Sequence, residues 1–103
     1  MERVFTYGTL QYADVQQYLL GRCLDMQPDH LQGFRAESIH LGRRRYPIAV
    51  PDPHQCIHGQ VVHVRPQELG ILDHYETAAY ERIQVTLASG CRAWVYTKSQ
   101  QYD

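Results

Sequence analysis

The sequence predicts an α+β fold, a small and mostly antiparallel β-barrel of about six strands with two or more flanking helices. Three observations predict it: short β-rich runs recur along the chain, two segments have helical spacing, and no linker or repeat divides the sequence. The chain has 103 residues, of which 44% are hydrophobic and 20% charged. This length and composition suit one globular domain that spans residues 1–103.

The first half of the chain begins with a strand and a helix. Residues 3–7, "RVFTY", form a β-rich run that ends at Gly8, a residue suited to a sharp turn. The segment "QYADVQQYLLG" places Val15, Tyr18 and Leu19 at helical spacing, and Gly21 is a typical helix stop.

The next two segments predict a strand and a long loop. "HLQGFRAESIHL" alternates loosely between apolar and polar residues, as a strand does. Residues 42–53 hold three prolines around the short apolar run "IAV". Because proline interrupts regular structure, we expect a loop there.

The second half predicts a strand, a helix and a hairpin. "IHGQVVHV" is β-rich, and Pro66 then stands at the start of a helix, where proline is well tolerated. "YERIQVTL" alternates with Ile83, Val85 and Leu87 on one face. "ASG" predicts a hairpin turn, and "CRAWVYT" is the returning strand.

Glu76 occupies an unusual position on the second helix. At about 100° per residue it falls between Leu69 and Leu72, roughly 20° from the first and 40° from the second. Apolar neighbours and the negative end of the helix dipole both raise the pKa of a carboxyl. A carboxyl near neutrality suits general acid/base catalysis. The alternative is a solvated glutamate paired with Arg82.

The turn "YGTL", Tyr7–Leu10, is the second candidate functional feature. A glycine directly after a strand and before a helix allows successive backbone N–H groups to converge on an anion. The alternative is an ordinary strand-to-helix turn. An oxyanion-binding turn and a carboxyl with a raised pKa would together provide two parts of a catalytic site.

Charge and residue usage do not indicate a nucleic-acid-binding, membrane-spanning or disulfide-bonded protein. The net charge of −1 gives no field for nucleic acid, so the three arginines Arg43–Arg45 predict a solvated patch. No apolar run approaches the roughly 18 residues of a membrane helix. Three cysteines without CxxC spacing predict free thiols in the cytoplasm.

Cys56 and His58 are the closest approach to a metal or thiol site. They share a strand face, but two ligands do not make a metal site. Side chains at this spacing are also expected to stand apart, which argues against a thiol and base pair. We therefore expect neither a metal nor a cofactor.

Five segments follow one another along the chain: "VFTYGTL", "YPIAV", "HGQVVHV", "LDHYETAAYERIQV" and "AWVYT". In this order they resemble the gamma-glutamylcyclotransferase-like superfamily, and in particular its AIG2-like and gamma-glutamylamine cyclotransferase branch. The resemblance implies a small mixed barrel with helices. It also implies a substrate-holding turn and an acid/base glutamate, with the following matched residues: Tyr7, Gly8, Thr9, Leu10, Gly59, Glu76, Tyr80 and Arg82.

The reaction that the resemblance implies is intramolecular. The free α-amino group of a γ-glutamyl amine or dipeptide attacks its own side-chain carbonyl, closes 5-oxoproline and releases an amine. We expect a small-molecule substrate, no nucleic acid or membrane partner, and a monomer or weak homodimer. Thr77 departs from the glycine that members of the family often carry after the glutamate. A protein that binds a small ligand on the same fold, without turnover, is the alternative.

Overall fold

The computed structural model describes residues 1–99, without the side chain of Leu41. Within that range the strands are β1 (Glu2–Thr6), β2 (Met26–Leu41), β3 (Arg44–Val64), β4 (Tyr80–Thr86) and β5 (Arg92–Lys98). The helices are α1 (Ala13–Leu20) and α2 (Leu69–Glu76), which follow the short 3₁₀ turns Thr9–Gln11 and Pro66–Glu68. Residues 100–103 of the predicted domain lie outside the described range.

The strands form one curled sheet in the order β2-β3-β1-β5-β4. Its ladders are antiparallel except where β5 pairs in parallel with β1 and, through Ala49 and Thr97, with β3. The last residues of β3 pair with β1, whereas its earlier part reaches β5, so the sheet curls toward a barrel. The α+β fold with a mostly antiparallel, barrel-like sheet is confirmed, with five strands in the described range instead of about six.

The predicted loop over residues 42–53 is wrong. Only Gly42 and Arg43 form a turn, and the rest belongs to β3, where Pro47 pairs with Ser38 of β2. Pro47 lies two residues before Ala49, whose N–H points away from β2 and donates to the Tyr7 hydroxyl. Residues two apart on a strand have the same orientation, so an N–H at Pro47 would also point away from β2. Its absence breaks no bond to β2, and the strand therefore tolerates proline. The run "IAV" and the later strand "IHGQVVHV" therefore belong to one long strand, β3.

Strand alternation divides the core into two clusters. Val4 faces the helices and belongs to the cluster that contains Val62 and Leu72. Its neighbour Phe5 points to the opposite face and packs in the cluster that contains Val95. Since successive side chains of a strand point to opposite faces, both clusters follow from one apolar run in β1.

Helix α1 is confirmed, but its predicted apolar face is only partly correct. The helix ends at Gly21, which has a φ of 71° and closes the last turn. Tyr18, however, is 85% exposed, whereas Gln16 is buried. The Gln16 amide donates to the Leu10 carbonyl at 2.8 Å and accepts the Leu24 N–H at 2.9 Å. These bonds satisfy the buried side chain and join the first turn to the chain that follows α1.

Candidate active site

Helix α2 presents its last residue, Glu76, to the interior. At the other end of the helical segment, Glu68 accepts the Arg65 N–H at 2.7 Å and forms an ion pair with Arg22 at 2.7 Å. Leu72 is buried against the sheet and fixes the helix rotation. Since Glu76 lies one turn beyond Leu72, it stays on the same side of the helix. The structure confirms the predicted helix and its end.

Glu76 and the turn Tyr7–Leu10 line one cavity of about 350 Å³. This volume lies in the range of small-molecule sites. The other lining residues are Val4, Phe5, Thr6, Arg44, Tyr46, Pro47, Tyr75, Thr77, Tyr80 and Tyr96. Two segments almost 70 positions apart in sequence therefore meet at a common hollow.

The Glu76 carboxyl is half-buried, and burial raises its pKa to about 7. In the part of the chain that the structure describes, it forms no hydrogen bond or ion pair, so its oxygens are free to meet a ligand. A group with this pKa can both accept and donate a proton near neutral pH. Desolvation, as the apolar helix face predicts, is the cause of the shift.

Arg82 does not pair with Glu76, so the solvated ion pair considered as the alternative is wrong. Its Nε and Nη2 donate to the Asp73 carboxylate at 2.9 and 3.1 Å, and its Cζ lies 4.3 Å from the Trp94 ring centroid. The hydrogen bond from Arg82 lowers the pKa of Asp73.

The structure does not bring Arg82 to the cavity, where the resemblance places it. Asp73, however, also accepts the Tyr96 hydroxyl at 2.6 Å, and Tyr96 lines the cavity. Arg82 therefore supports the cavity wall indirectly, through Asp73 and Tyr96.

The predicted binding residues Tyr7 and Tyr80 both line the cavity, and their hydroxyls bond to the backbone. The Tyr7 hydroxyl accepts the Ala49 N–H at 2.8 Å and donates to the Tyr96 carbonyl at 2.6 Å, so it bridges β3 and β5. The Tyr80 hydroxyl donates to the Pro47 carbonyl at 2.6 Å. Burial raises the pKa of both phenols, which stay neutral.

The turn after β1 offers unused hydrogen-bond donors. In the described part of the chain, the N–H groups of Gly8, Thr9 and Leu10 have no hydrogen-bond partner. A Cβ on Gly8 would lie 3.2 Å from Pro47 Cγ, so glycine lets the turn approach β3 closely. The Thr9 hydroxyl lies 2.6 Å from that of Tyr75, which ties the turn to α2. Leu10 is buried and anchors the turn in the core.

Thr77, directly after Glu76, has a φ of 69°. This is a left-handed conformation that a β-branched residue rarely adopts and glycine adopts freely. The resemblance implies a glycine at this position, and the positive φ explains why glycine suits it. Strain of this kind is often stored at functional sites, and Thr77 lines the cavity.

Sequence reasoning missed Arg44 and Tyr46 as cavity residues. They are two positions apart on β3 and so share a face. The proline pattern predicted a loop over them, which hid this alternation. The signal that could have found Tyr46 was the quoted segment "YPIAV".

Cys56 and His58 are closer than predicted, since Sγ lies 3.8 Å from Nε2. The His30 ring on β2 lies 5.3 Å from the His58 ring. Both Cys56 and His58 are exposed and lie outside the cavity lining. Among residues 1–99 no group of three or more histidine, cysteine or acidic side chains is arranged to hold a metal ion. None of the helices in that range has the length and apolarity to cross a membrane.

Residues 4–103 match the family model described as "Gamma-glutamyl cyclotransferase, AIG2-like". The chain belongs to this family. AIG2-like protein D of Arabidopsis thaliana is 33% identical over 102 residues, which are 96% of this chain and 66% of that protein. AIG2-like protein A of the same plant is 36% identical over 86 residues, which are 82% of this chain and 51% of that protein. The chain thus spans between about half and two thirds of these relatives.

Solved structures share the fold. One solution structure of an Arabidopsis thaliana protein has a TM-score of 0.82 at 30% identity. The match covers 99% of this chain and 71% of the Arabidopsis chain. A solved gamma-glutamyl cyclotransferase has a TM-score of 0.79 at 16% identity. The match covers 95% of this chain and 66% of the cyclotransferase chain. The second likeness establishes the fold alone.

Proposed function

We propose that this protein is a gamma-glutamylcyclotransferase-type enzyme that closes 5-oxoproline from a γ-glutamyl amine or dipeptide and releases an amine. The single observation that carries the proposal is a cavity lined by both Glu76, with a pKa of about 7, and the turn Tyr7–Leu10. Among the described residues, the N–H groups of Gly8, Thr9 and Leu10 in that turn have no hydrogen-bond partner. Membership of the family supports it. Because the chain spans only part of its curated relatives, the activity of the whole protein is part of the proposal.

The proposed chemistry needs three things from the protein. The substrate's α-amino nitrogen attacks its γ-carbonyl carbon, a new C–N bond closes the five-membered ring, and the C–N bond to the leaving amine breaks. The carboxylate of Glu76 takes a proton from the α-ammonium group and returns one to the leaving nitrogen, so the protons balance. The free N–H groups of Gly8–Leu10 stabilise the oxygen that becomes negative during attack.

The cavity supports the remaining requirement, which is orientation. Ring closure is intramolecular, so a wall that folds the substrate back on itself lowers the barrier without a covalent enzyme intermediate. The rings of Tyr7, Tyr80 and Tyr46 can provide such a wall, because the first two are held by hydroxyl bonds to the backbone. Each step has a protein group to perform it, so the proposal includes no cofactor.

The direct test is to incubate the purified protein with γ-glutamyl dipeptides and γ-glutamyl alkylamines and to measure 5-oxoproline. We expect stoichiometric release of 5-oxoproline and free amine from at least one of them. Saturable binding without any 5-oxoproline would instead support the alternative of a ligand-binding protein. The monomer or weak homodimer and the cytoplasmic location remain predictions.

A further inference from the structure

Arg44 is a positively charged side chain at the cavity that the proposed chemistry does not use. It is exposed, whereas the cavity-lining residues of β1, such as Val4 and Phe5, are buried. Arg44 therefore lies at the solvent end, the mouth of the cavity. Its neighbour Tyr46 lies on the same face of β3 and also lines the cavity.

The guanidinium of Arg44 is not neutralised by the protein. Among residues 1–99 it forms no ion pair or side-chain hydrogen bond, whereas Arg35 pairs with Asp52 and Arg82 with Asp73. Arg45, on the opposite face of the same strand, donates to the His40 ring at 3.2 Å. A guanidinium with free donors at the mouth of a cavity suits a carboxylate, which it can bind through two parallel hydrogen bonds.

The position of Glu76 determines which part of the substrate meets Arg44. On the proposed function, on which this inference rests, the α-ammonium and γ-carbonyl groups must lie beside Glu76 and the turn Gly8–Leu10. The leaving amine is joined to the γ-carbonyl carbon and extends away from these groups. The mouth, with Arg44, is the open direction for it.

We propose that Arg44 binds a carboxylate on the leaving amine, so that the preferred substrates are γ-glutamyl amino acids instead of γ-glutamyl alkylamines. The electrostatics of the cavity agree with this assignment. The carboxylate of Glu76 faces the cationic end of the substrate, and Arg44 faces an anionic end, so each substrate charge meets its opposite.

The test compares two substrates that differ by one carboxylate, γ-glutamyl-L-alanine and γ-glutamylethylamine. The ratio of their kcat/KM values is measured for the wild-type protein, for Arg44→Gln and for Arg44→Lys. The control is Arg45→Gln, which removes an equal charge from the other face of the same strand. We expect Arg44→Gln to lower the ratio on the order of five- to twentyfold, the effect of one partly exposed charged pair. The kcat/KM for the dipeptide should fall, and that for γ-glutamylethylamine should not change. Arg44→Lys should keep part of the preference, and Arg45→Gln all of it.

An unchanged ratio in Arg44→Gln would overturn the proposal, and so would an equal loss with both substrates, which would place Arg44 against the glutamyl half. If the wild-type protein produces no 5-oxoproline from either compound, the proposed reaction fails. The two compounds then serve as ligands in calorimetric titrations. Loss of a dipeptide preference in Arg44→Gln would still support carboxylate binding at the mouth, and equal affinities in the wild type would reject it.

Discussion

The Thr9 and Tyr75 hydroxyls share a hydrogen bond of 2.6 Å that joins the first turn to helix α2. Tyr75 directly precedes Glu76, so this bond holds together the two parts of the site. A double-mutant cycle with Thr9→Val and Tyr75→Phe isolates it. We expect a coupling free energy of about 0.5–1.5 kcal/mol in urea unfolding, the ordinary worth of one such bond.

The same cycle applied to kcat/KM should also show coupling, because the bond positions the turn relative to Glu76. Tyr18→Phe is the control, since its side chain is 85% exposed. Strictly additive effects on both stability and activity would mean that the hydroxyl pair does not hold the site together.

Tyr7 should matter more for stability than Tyr80. Tyr7→Phe leaves the Ala49 N–H and the Tyr96 carbonyl without their partner, whereas Tyr80→Phe leaves only the Pro47 carbonyl. Unpaired buried groups cost about 1–3 kcal/mol each. We expect Tyr7→Phe to lower the free energy of unfolding by about 2–4 kcal/mol and Tyr80→Phe by about half as much. Equal losses of unfolding free energy in urea titrations would show that the Tyr7 bridge between β3 and β5 contributes no more than the single Tyr80 bond.

Gly59 should not tolerate any side chain. A Cβ there would lie 2.3 Å from the Thr6 carbonyl oxygen and 2.9 Å from Phe5 Cζ. Because backbone cannot yield as a flexible side chain does, we expect Gly59→Ala to cost at least about 3 kcal/mol, at the severe end of single substitutions. Thermal unfolding gives the measurement.

Gly70→Ala is the matched control for Gly59→Ala. Nothing lies within 4 Å of a Cβ at Gly70, which is inside α2. Alanine should therefore stabilise the helix by roughly 0.5–1 kcal/mol. A mild effect of Gly59→Ala would contradict the close approach of β1 and β3.

Glu76 should make the protein less stable as the pH rises through neutrality. Its pKa is raised from 4.5 to about 7 in the folded state, so the folded protein holds an extra proton between these values. The stability gained from the neutral carboxyl is therefore fully present below pH 4.5 and is lost as the pH rises through about 7. We expect the loss to be on the order of 1–3 kcal/mol.

Urea unfolding at pH 5 and pH 8 measures this effect. Glu76→Gln, which stays neutral, should be more stable than the wild type at pH 8 by that amount, and the gap should narrow to about a quarter of that at pH 5. Glu81→Gln, at an exposed site on β4, should show no such change. A stability gap that is the same at both pH values would show that Glu76 is ordinarily hydrated.

The parts of the fold that depend on local pattern could be predicted. The 3₁₀ turn that begins at Pro66, the helix α2 that follows it and the hairpin of β4 and β5 follow from periodicity and turn residues. The segment 42–53 could not, because proline counts against a strand unless its missing N–H points away from the partner strand. That direction depends on the register with β2.

The site shows the same limit. The raised pKa of Glu76 follows from its place on an apolar helix face, which the sequence contains. The pairing of Arg82 with Asp73 depends on how α2 lies against β4, and the placement of Arg44 at the cavity depends on the β2–β3 hairpin. Both are tertiary relationships that no local pattern encodes.

The most direct test of the account is the rate of 5-oxoproline formation by Glu76→Gln, measured with γ-glutamyl-L-alanine beside the wild type and Glu81→Gln. Substrate affinity of the same proteins is measured by calorimetry. Since the amide cannot shuttle a proton, we predict a loss in kcat of at least about 10²-fold, with binding retained and Glu81→Gln unaffected. A Glu76→Gln protein that turns over at the wild-type rate would contradict the account.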